Sequence, residues 1–156
     1  MSVRELGNAV AKELVVTLKP LGFRRNGAIF SRDREDFIEH FAIVGDRWNS
    51  GKLPWKFHIN VGVLFQGVAP HSNAKGLWRK AHAIGTTGRI ASDTPMHFLV
   101  TPETVIGVAV QVHQAILKVS DLLPSVAAPA RARAVMGLIS PLPILDSWSQ
   151  NSAENN

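Results

Sequence analysis

Apolar residues near the start of the chain recur at helical spacing. Val3, Leu6, Val10, Leu14 and Leu18 fall on one stripe, with Arg4, Glu5, Lys12 and Glu13 off it. Ser2 and Glu5 form an S-x-x-E capping box at the start of this helix, and Pro20 and Gly22 stop it. The period then changes to two. In GFRRNGAIFSR the Asn26-Gly27 pair predicts a two-residue hairpin turn with positive φ at both central positions. RDRED, residues 32–36, predicts a second turn. Beyond it Phe37, Glu39, Phe41 and Ile43 share one side of a strand, as do Phe57, Ile59, Val61, Val63 and Phe65 of the next. These segments predict an antiparallel meander covered by the first helix.

Residues 66–95 pattern less cleanly. GLWRKAHAI reads as a short helix with Leu77, Trp78, Ala81 and Ile84 inward, and GTTGRIAS and MHFLV read as two short strands. Thr101, Pro102 and Glu103 are suited to a helix start: a hydroxyl N-cap, a proline in the first turn and an acid near the positive end of the dipole. That helix would carry Val105, Ala109, Val112, Ile116, Val119 and Leu123 inward, although its valines leave a strand open for residues 105–112. PSVAAPA reads as a linker or hinge and RARAVMGLIS as a short helix. PLPILDSW reads as an extended segment resting on the body through Ile144, Leu145 and Trp148. The fold expected is α+β, one domain over residues 1–148 with an antiparallel sheet against an N-terminal and a C-terminal helix. A polar, disordered tail is expected over 149–156.

Composition narrows the function classes. The 156 residues are 46% hydrophobic, enough for one core, and contain no cysteine, which rules out disulfides, zinc ribbons, iron–sulfur clusters and thiol nucleophiles. The N-terminus has no uninterrupted apolar stretch of a secretory signal. The run VIGVAVQVHQAILKV is broken by Gln111, His113 and Gln114 and falls short of the roughly 20 apolar residues of a membrane span. The expectation is a soluble, cytoplasmic protein with no membrane partner.

The formal charge of +5 is unevenly placed. Residues 1–45 hold seven Lys or Arg against six acids, so FRRNG and RDRED largely cancel. From Arg47 to Ser92 there are seven cations and no Asp or Glu. Interleaved with them are Trp48, Trp55 and Trp78, and also His58, His71 and His82. Cations that neutralise phosphates beside aromatic faces that stack on bases are what single-strand binding requires. The plainer reading of the same residues is tryptophans that are core or hairpin anchors and cations on an ordinary wet surface. Arg24 and Arg25 point to opposite faces of their hairpin and do not grip one phosphate track.

Chemistry-bearing patterns are thin. His40, His58 and Asn60 share one face of the predicted sheet, but neither strand supplies a further metal ligand at characteristic spacing, and a half-buried, hydrogen-bonded histidine is the plainer reading. No H-E-x-x-H, G-x-S-x-G, P-loop or dinucleotide fingerprint occurs, and GTTGR lacks the P-loop lysine. No metal, cofactor or catalytic residue is expected, and the reading leans away from an enzyme.

The order of short motifs resembles the bacterial family called domain of unknown function 4304. The residues that carry it are Leu18, Lys19, Gly22, Phe23, Arg24, Gly27, Phe30, Trp48, Asn49, Ser50, Phe57, Ile59, Asn60 and Gly62, over roughly the first 65 positions. Gly88, Arg89 and Ile90 correspond to a later arginine-containing strand of that family. The paired tryptophans that follow it there are replaced here by His97-Phe98, and Gly45-Asp46-Arg47 stands where a glutamine precedes the tryptophan turn. The resemblance implies an α+β fold and a bacterial or phage-related source. By analogy with small bacterial proteins it points to an accessory or immunity-like binding partner. Asn49, Ser50, Gly51 and Pro54 are turn formers, so geometry is the first duty of the loop that holds Trp48.

The function expected is non-catalytic binding of a protein partner through the acid-free segment. Trp48, Lys52, Trp55 and Lys56 would be its anchors and rim, joined by Trp78, Arg79, Lys80 and Arg89. The alternative is single-stranded nucleic acid on the same residues, with Trp48 and Trp55 on bases and Lys52, Lys56, Arg79 and Lys80 on phosphates.

Overall fold

The computed structural model describes residues 1–46, 49, 51–76, 80–138 and 142–146. The capping box forms as the sequence predicts: the Ser2 hydroxyl accepts from the Glu5 N–H and the Glu5 carboxylate accepts from the Ser2 N–H, opening α1 at Val3–Leu18. A 3₁₀ turn at Lys19–Leu21 and Gly22 end it. Seven strands follow among the described residues: β1 Arg24–Asn26, β2 Ile29–Asp33, β3 Phe37–Gly45, β4 Trp55–Phe65, β5 Ala83–Thr86, β6 Phe98–Val100 and β7 Ile144–Leu145. Further helices among the described residues are α2 Thr87–Ile90, α3 Val105–Val126 and α4 Ala128–Val135. The sheet order is β1-β2-β3-β4-β5-β7, with β6 also on β4, and only the β5–β7 pair is parallel. The described chain is thus an α+β domain with helices toward both ends.

β5 and β6 lie in line against β4. Thr86 and Ala83 pair with Asn60 and Val63, while Phe98 and Val100 pair with Phe57 and Trp55. Residues 87–97 leave the sheet between them and contain α2. Several local expectations are corrected here. Asn26 pairs with Ile29, so the hairpin loop is Gly27-Ala28, and only Gly27 has positive φ (61°), the pattern of a glycine-led type II′ turn. Ile84 is in a strand and not in a helix, and Gly88, Arg89 and Ile90 form α2 instead of a strand. Leu77, Trp78 and Trp148 lie outside the described residues, as does the polar tail.

The second long helix begins three residues later than Pro102 because the Thr104 hydroxyl serves the turn before it. It accepts from the Thr101 N–H at 2.9 Å and leaves α3 to start at Val105. Residues 105–112 are helical. The stripe of Val108, Ala109, Val112, Ile116, Val119 and Leu123 continues at helical period to Val126, and packing against the sheet overrides the valines' strand preference. With 22 residues and a hydropathy of 1.2, α3 is long and apolar enough to cross a bilayer, but its buried face is spent on the sheet and α1, as in a core helix.

PSVAAPA is not a linker. Pro124 sits in the last turn of α3 and Pro129 in the first turn of α4, with Ala127 joining the two helices. Proline at 124 has no N–H to offer the carbonyl four residues earlier, that of Ser120. Arg34 fills the gap, donating from Nη1 to that carbonyl at 3.2 Å.

This contact belongs to a polar network inside the core. Glu39 is 0% exposed on the inward side of β3, where the alternation with Phe37, Phe41 and Ile43 places it. Arg32 Nε donates to it at 2.8 Å and Arg34 Nη1 at 3.2 Å, and the Ser120 hydroxyl donates to both carboxylate oxygens at 2.9 Å. Ser120 Oγ accepts in turn from Arg32 and Arg34, each at 2.7 Å, so one donor and two lone pairs are all used. The guanidiniums also lie over the Phe23 and Phe37 rings. RDRED, read from sequence as a locally neutral turn, is what ties the β2–β3 hairpin to α3.

At the other end of the sheet Trp55 is 6% exposed and stacks on Phe57 at 5.2 Å, which stacks on Phe98 at 5.3 Å. A Cβ on Gly45 would stand 2.9 Å from the indole, and one on Gly7 of α1 would stand 3.3 Å from it. Helix and neighbouring strand both approach this ring across a glycine.

Candidate functional site

Among the described residues, α1 to α4 pack on one face of the sheet. α1 meets Trp55 through Gly7, α3 meets Glu39 through Ser120, and α2 sets Ile90 against Gly85. α4 flanks Phe37 and Phe65 with Ala128 and Arg131. The side chains in between point to the opposite face, on which no helix among the described residues packs. Register places His40 opposite Gly62, Ala42 opposite Asn60 and Val44 opposite His58, so His40, His58 and Asn60 do share it. Thr86 and Ile84 of β5 continue the same rows beyond Asn60 and Gly62, and Leu99 of β6 stands beside Lys56. The face mixes half-buried Ile38, Val44, Leu64 and Ile84 with those polar groups, and ends in exposed Leu99 and Ile144.

His40 is buried on this face, with Nδ1 2.7 Å from the Ser31 hydroxyl. Burial, reinforced by the Arg24 charge and partly opposed by Asp33, holds its pKa below the ordinary 6.5, which favours the neutral ring. A serine beside a histidine is the start of a nucleophilic pair, but His40 Nε2 has no acid on it among the described residues to orient the ring. The His58 ring meets the His97 ring edge-on at 6.1 Å, and Asp46 lies 3.9 Å from His97 and 3.6 Å from Lys56. Among the described residues no three His, Asp or Glu side chains converge as a metal site. His82, fully buried, accepts from the Phe65 N–H at Nδ1 and donates from Nε2 to the Ala69 carbonyl, a structural role.

The acid-free segment disperses. Trp55 is in the core and not on the surface, so its ring does not face a partner. Lys52 is exposed near one end of β4, and Lys56 is engaged by Asp46. Lys80 precedes β5, whose Ala83 pairs with Val63, which puts it near the opposite end of β4, roughly 25–30 Å from Lys56 at strand rise. Arg89 is exposed on α2 and has no ion-pair partner among the described residues. Trp48, Trp78 and Arg79 lie outside the described residues. Asn49 shows the structural duty of its loop: its amide donates to the Asp46 and Lys56 carbonyls and its carbonyl accepts from the Lys56 N–H at 3.0 Å. Arg24 and Arg25 diverge as the sequence predicts, one to Asp33 and the other to Gly27 and Asn8.

Sequence reasoning missed Thr86. Its signal was available: Thr86 lies on the same sheet face as Asn60, but GTTGRIAS was read as a separate strand, which hid the pairing.

No curated protein and no solved structure matches the chain. A family model described as "Domain of unknown function (DUF4304)" matches residues 14–115, from within α1 through β1–β6 to the middle of α3. That span reaches well past residue 65 and holds His40, His58, Asn60, Thr86 and Arg89 together. With about two thirds of its length inside the match, the chain belongs to the DUF4304 family.

Proposed function

We propose that this protein is a non-catalytic binding module that engages another protein through the sheet face on which no described helix packs. The observation that carries the reading is the one-sided arrangement of the described helices, which leaves Ile38, Val44, Leu64, Ile84, Leu99 and Ile144 beside His58, Asn60 and Thr86 on the side that no described helix covers. Apolar positions framed by hydrogen-bonding groups are the make-up of a protein interface. Single-strand binding is less well supported, because Lys56 and Lys80 fall at opposite ends of β4 and Trp55 is buried. The same proposal takes the protein to be bacterial and cytoplasmic, with an accessory or immunity-like role.

The test is affinity capture from the source cell with wild-type protein, an Ile84→Glu/Leu99→Glu variant and a Val16→Glu control on the exposed side of α1. A partner held by wild type and control and lost by the face variant supports the reading, and equal capture by all three refutes it. In parallel, labelled oligonucleotides titrated at several salt concentrations read the alternative, since phosphate contacts give a steep log–log slope.

A further inference from the structure

At the β5–β7 edge of the sheet, where α2 leaves β5, lies a cleft of about 280 Å³ lined by Asn60, Val61, Ile84, Thr86, Arg89 and Ile144 together with Gly85. Its polar groups are unspent. Thr86 occupies the N-cap position of α2, yet its hydroxyl makes no cap hydrogen bond, and Oγ1 is buried without a partner among the described residues. A buried hydroxyl left so is costly and marks a place where a partner is missing. The Asn60 amide, one strand away in register with Thr86, likewise has no side-chain partner among the described residues. One helical turn on, Arg89 brings the only cation among the cleft's described residues. The apolar wall is Val61, Ile84 and Ile144, the last 53% exposed. Asp146, beyond β7, is not part of the lining.

We propose that this cleft binds a carboxylate carried on a short, branched apolar group, with Arg89, Asn60 and Thr86 holding the carboxylate and Ile84 and Ile144 covering the apolar end. The guanidinium fork matches the two oxygens of a planar carboxylate, and a hydroxyl and an amide N–H satisfy the remaining lone pairs. A single cation balances a monoanion, whereas a phosphate dianion calls for a second one. The volume lies at the lower edge of small-molecule sites, so a long acyl chain does not fit. The carboxylate has two possible sources, a free small acid or the C-terminus of a peptide. The proposal holds or fails independently of whether a protein covers the rest of the face.

The test is an amide chemical-shift titration of the full chain with isovalerate, with isovaleramide, and with a tripeptide ending in leucine whose C-terminus is free or amidated. Saturable shifts at Ile84, Gly85 and Thr86 are expected with a free carboxylate and binding about tenfold or more weaker with its amide, the worth of one charge-assisted contact. Arg89→Gln should weaken the acid by a similar factor and Arg4→Gln, on α1, should not. Isovalerate binding identifies a small acid as sufficient, and binding of the peptide alone identifies a chain terminus. The proposal is overturned if neither carboxylate binds, if acid and amide bind equally, or if Arg89→Gln changes nothing. The acid–amide comparison on wild type decides even where a variant folds poorly.

Discussion

Truncating Glu39 to alanine removes the centre of the network that joins the β2–β3 hairpin to α3. Two ion pairs at 2.8 and 3.2 Å and the Ser120 hydrogen bonds to the carboxylate go at once, and Arg32 and Arg34 keep their charges without a counterion. Removing one member of a buried pair costs about 3–5 kcal/mol, most of it the charge left behind. Here the arginine side chains are 21% and 27% exposed and recover part of their hydration, which places the cost near the lower end, about 3 kcal/mol. At roughly 2–4 °C per kcal/mol for a chain of this size, the midpoint should fall by roughly 6–12 °C. The assay is urea and thermal unfolding of wild type, Glu39→Ala, Ser120→Ala and the double variant. A coupling of about 1 kcal/mol between the two positions is expected, since Ser120 Oγ donates to the carboxylate and accepts from both arginines. A loss below about 1 kcal/mol for Glu39→Ala, the range of a solvated surface pair, would show that the network does not hold the two layers together.

Three further predictions rest on separate observations. Because Arg34 replaces the hydrogen bond that Pro124 cannot make, Arg34→Ala should cost about 0.5–1 kcal/mol less in a Pro124→Ala background, and an additive pair of costs would contradict that substitution of partners. Gly45→Ala should destabilise by about 1–3 kcal/mol, since its methyl meets the Trp55 indole at 2.9 Å, and a loss within 0.5 kcal/mol (roughly) in urea unfolding would mean the ring moves freely. His40 has its folded pKa depressed below 6.5, so between those two values the unfolded state binds more protons. Stability is therefore full above 6.5 and falls as pH drops through the folded pKa. An NMR titration of His40 with a midpoint above 6.5, or an acid-side stability curve unchanged in His40→Gln, would reject this.

Much of the scaffold was legible because it depends on local periodicity. The α1 stripe, the period-two strands, the shared face of His40, His58 and Asn60, and the divergence of Arg24 from Arg25 each follow from side-chain geometry along one element. Recognition of the family from short motifs drew on the same stretches. Where two local signals competed, the sequence misled. Asn26-Gly27 looked like the turn itself, but pairing of Asn26 with Ile29 moved the loop on by one residue. Pro124 and Pro129 looked like a hinge because proline breaks helices, yet Arg34, far away in sequence, supplied the missing partner.

The sequence by itself determined α1, the strands of the first 65 residues and which residues lie on which side of them, because those depend on neighbours a few positions apart. Only the tertiary structure decided how the charges and aromatic rings are used. Glu39 was already inward-facing, but its hydrogen-bond partners there, Arg32, Arg34 and Ser120, reach it from two layers. Trp55 reads from sequence as a surface anchor, and glycines at positions 7 and 45 make room for it in the core. Lys56 and Lys80 of the acid-free segment are separated by the length of β4, while Asn60, Thr86 and Arg89 are brought together across β4, β5 and α2. Charge and hydrogen bonding act through space, and the distances that govern them are set by packing.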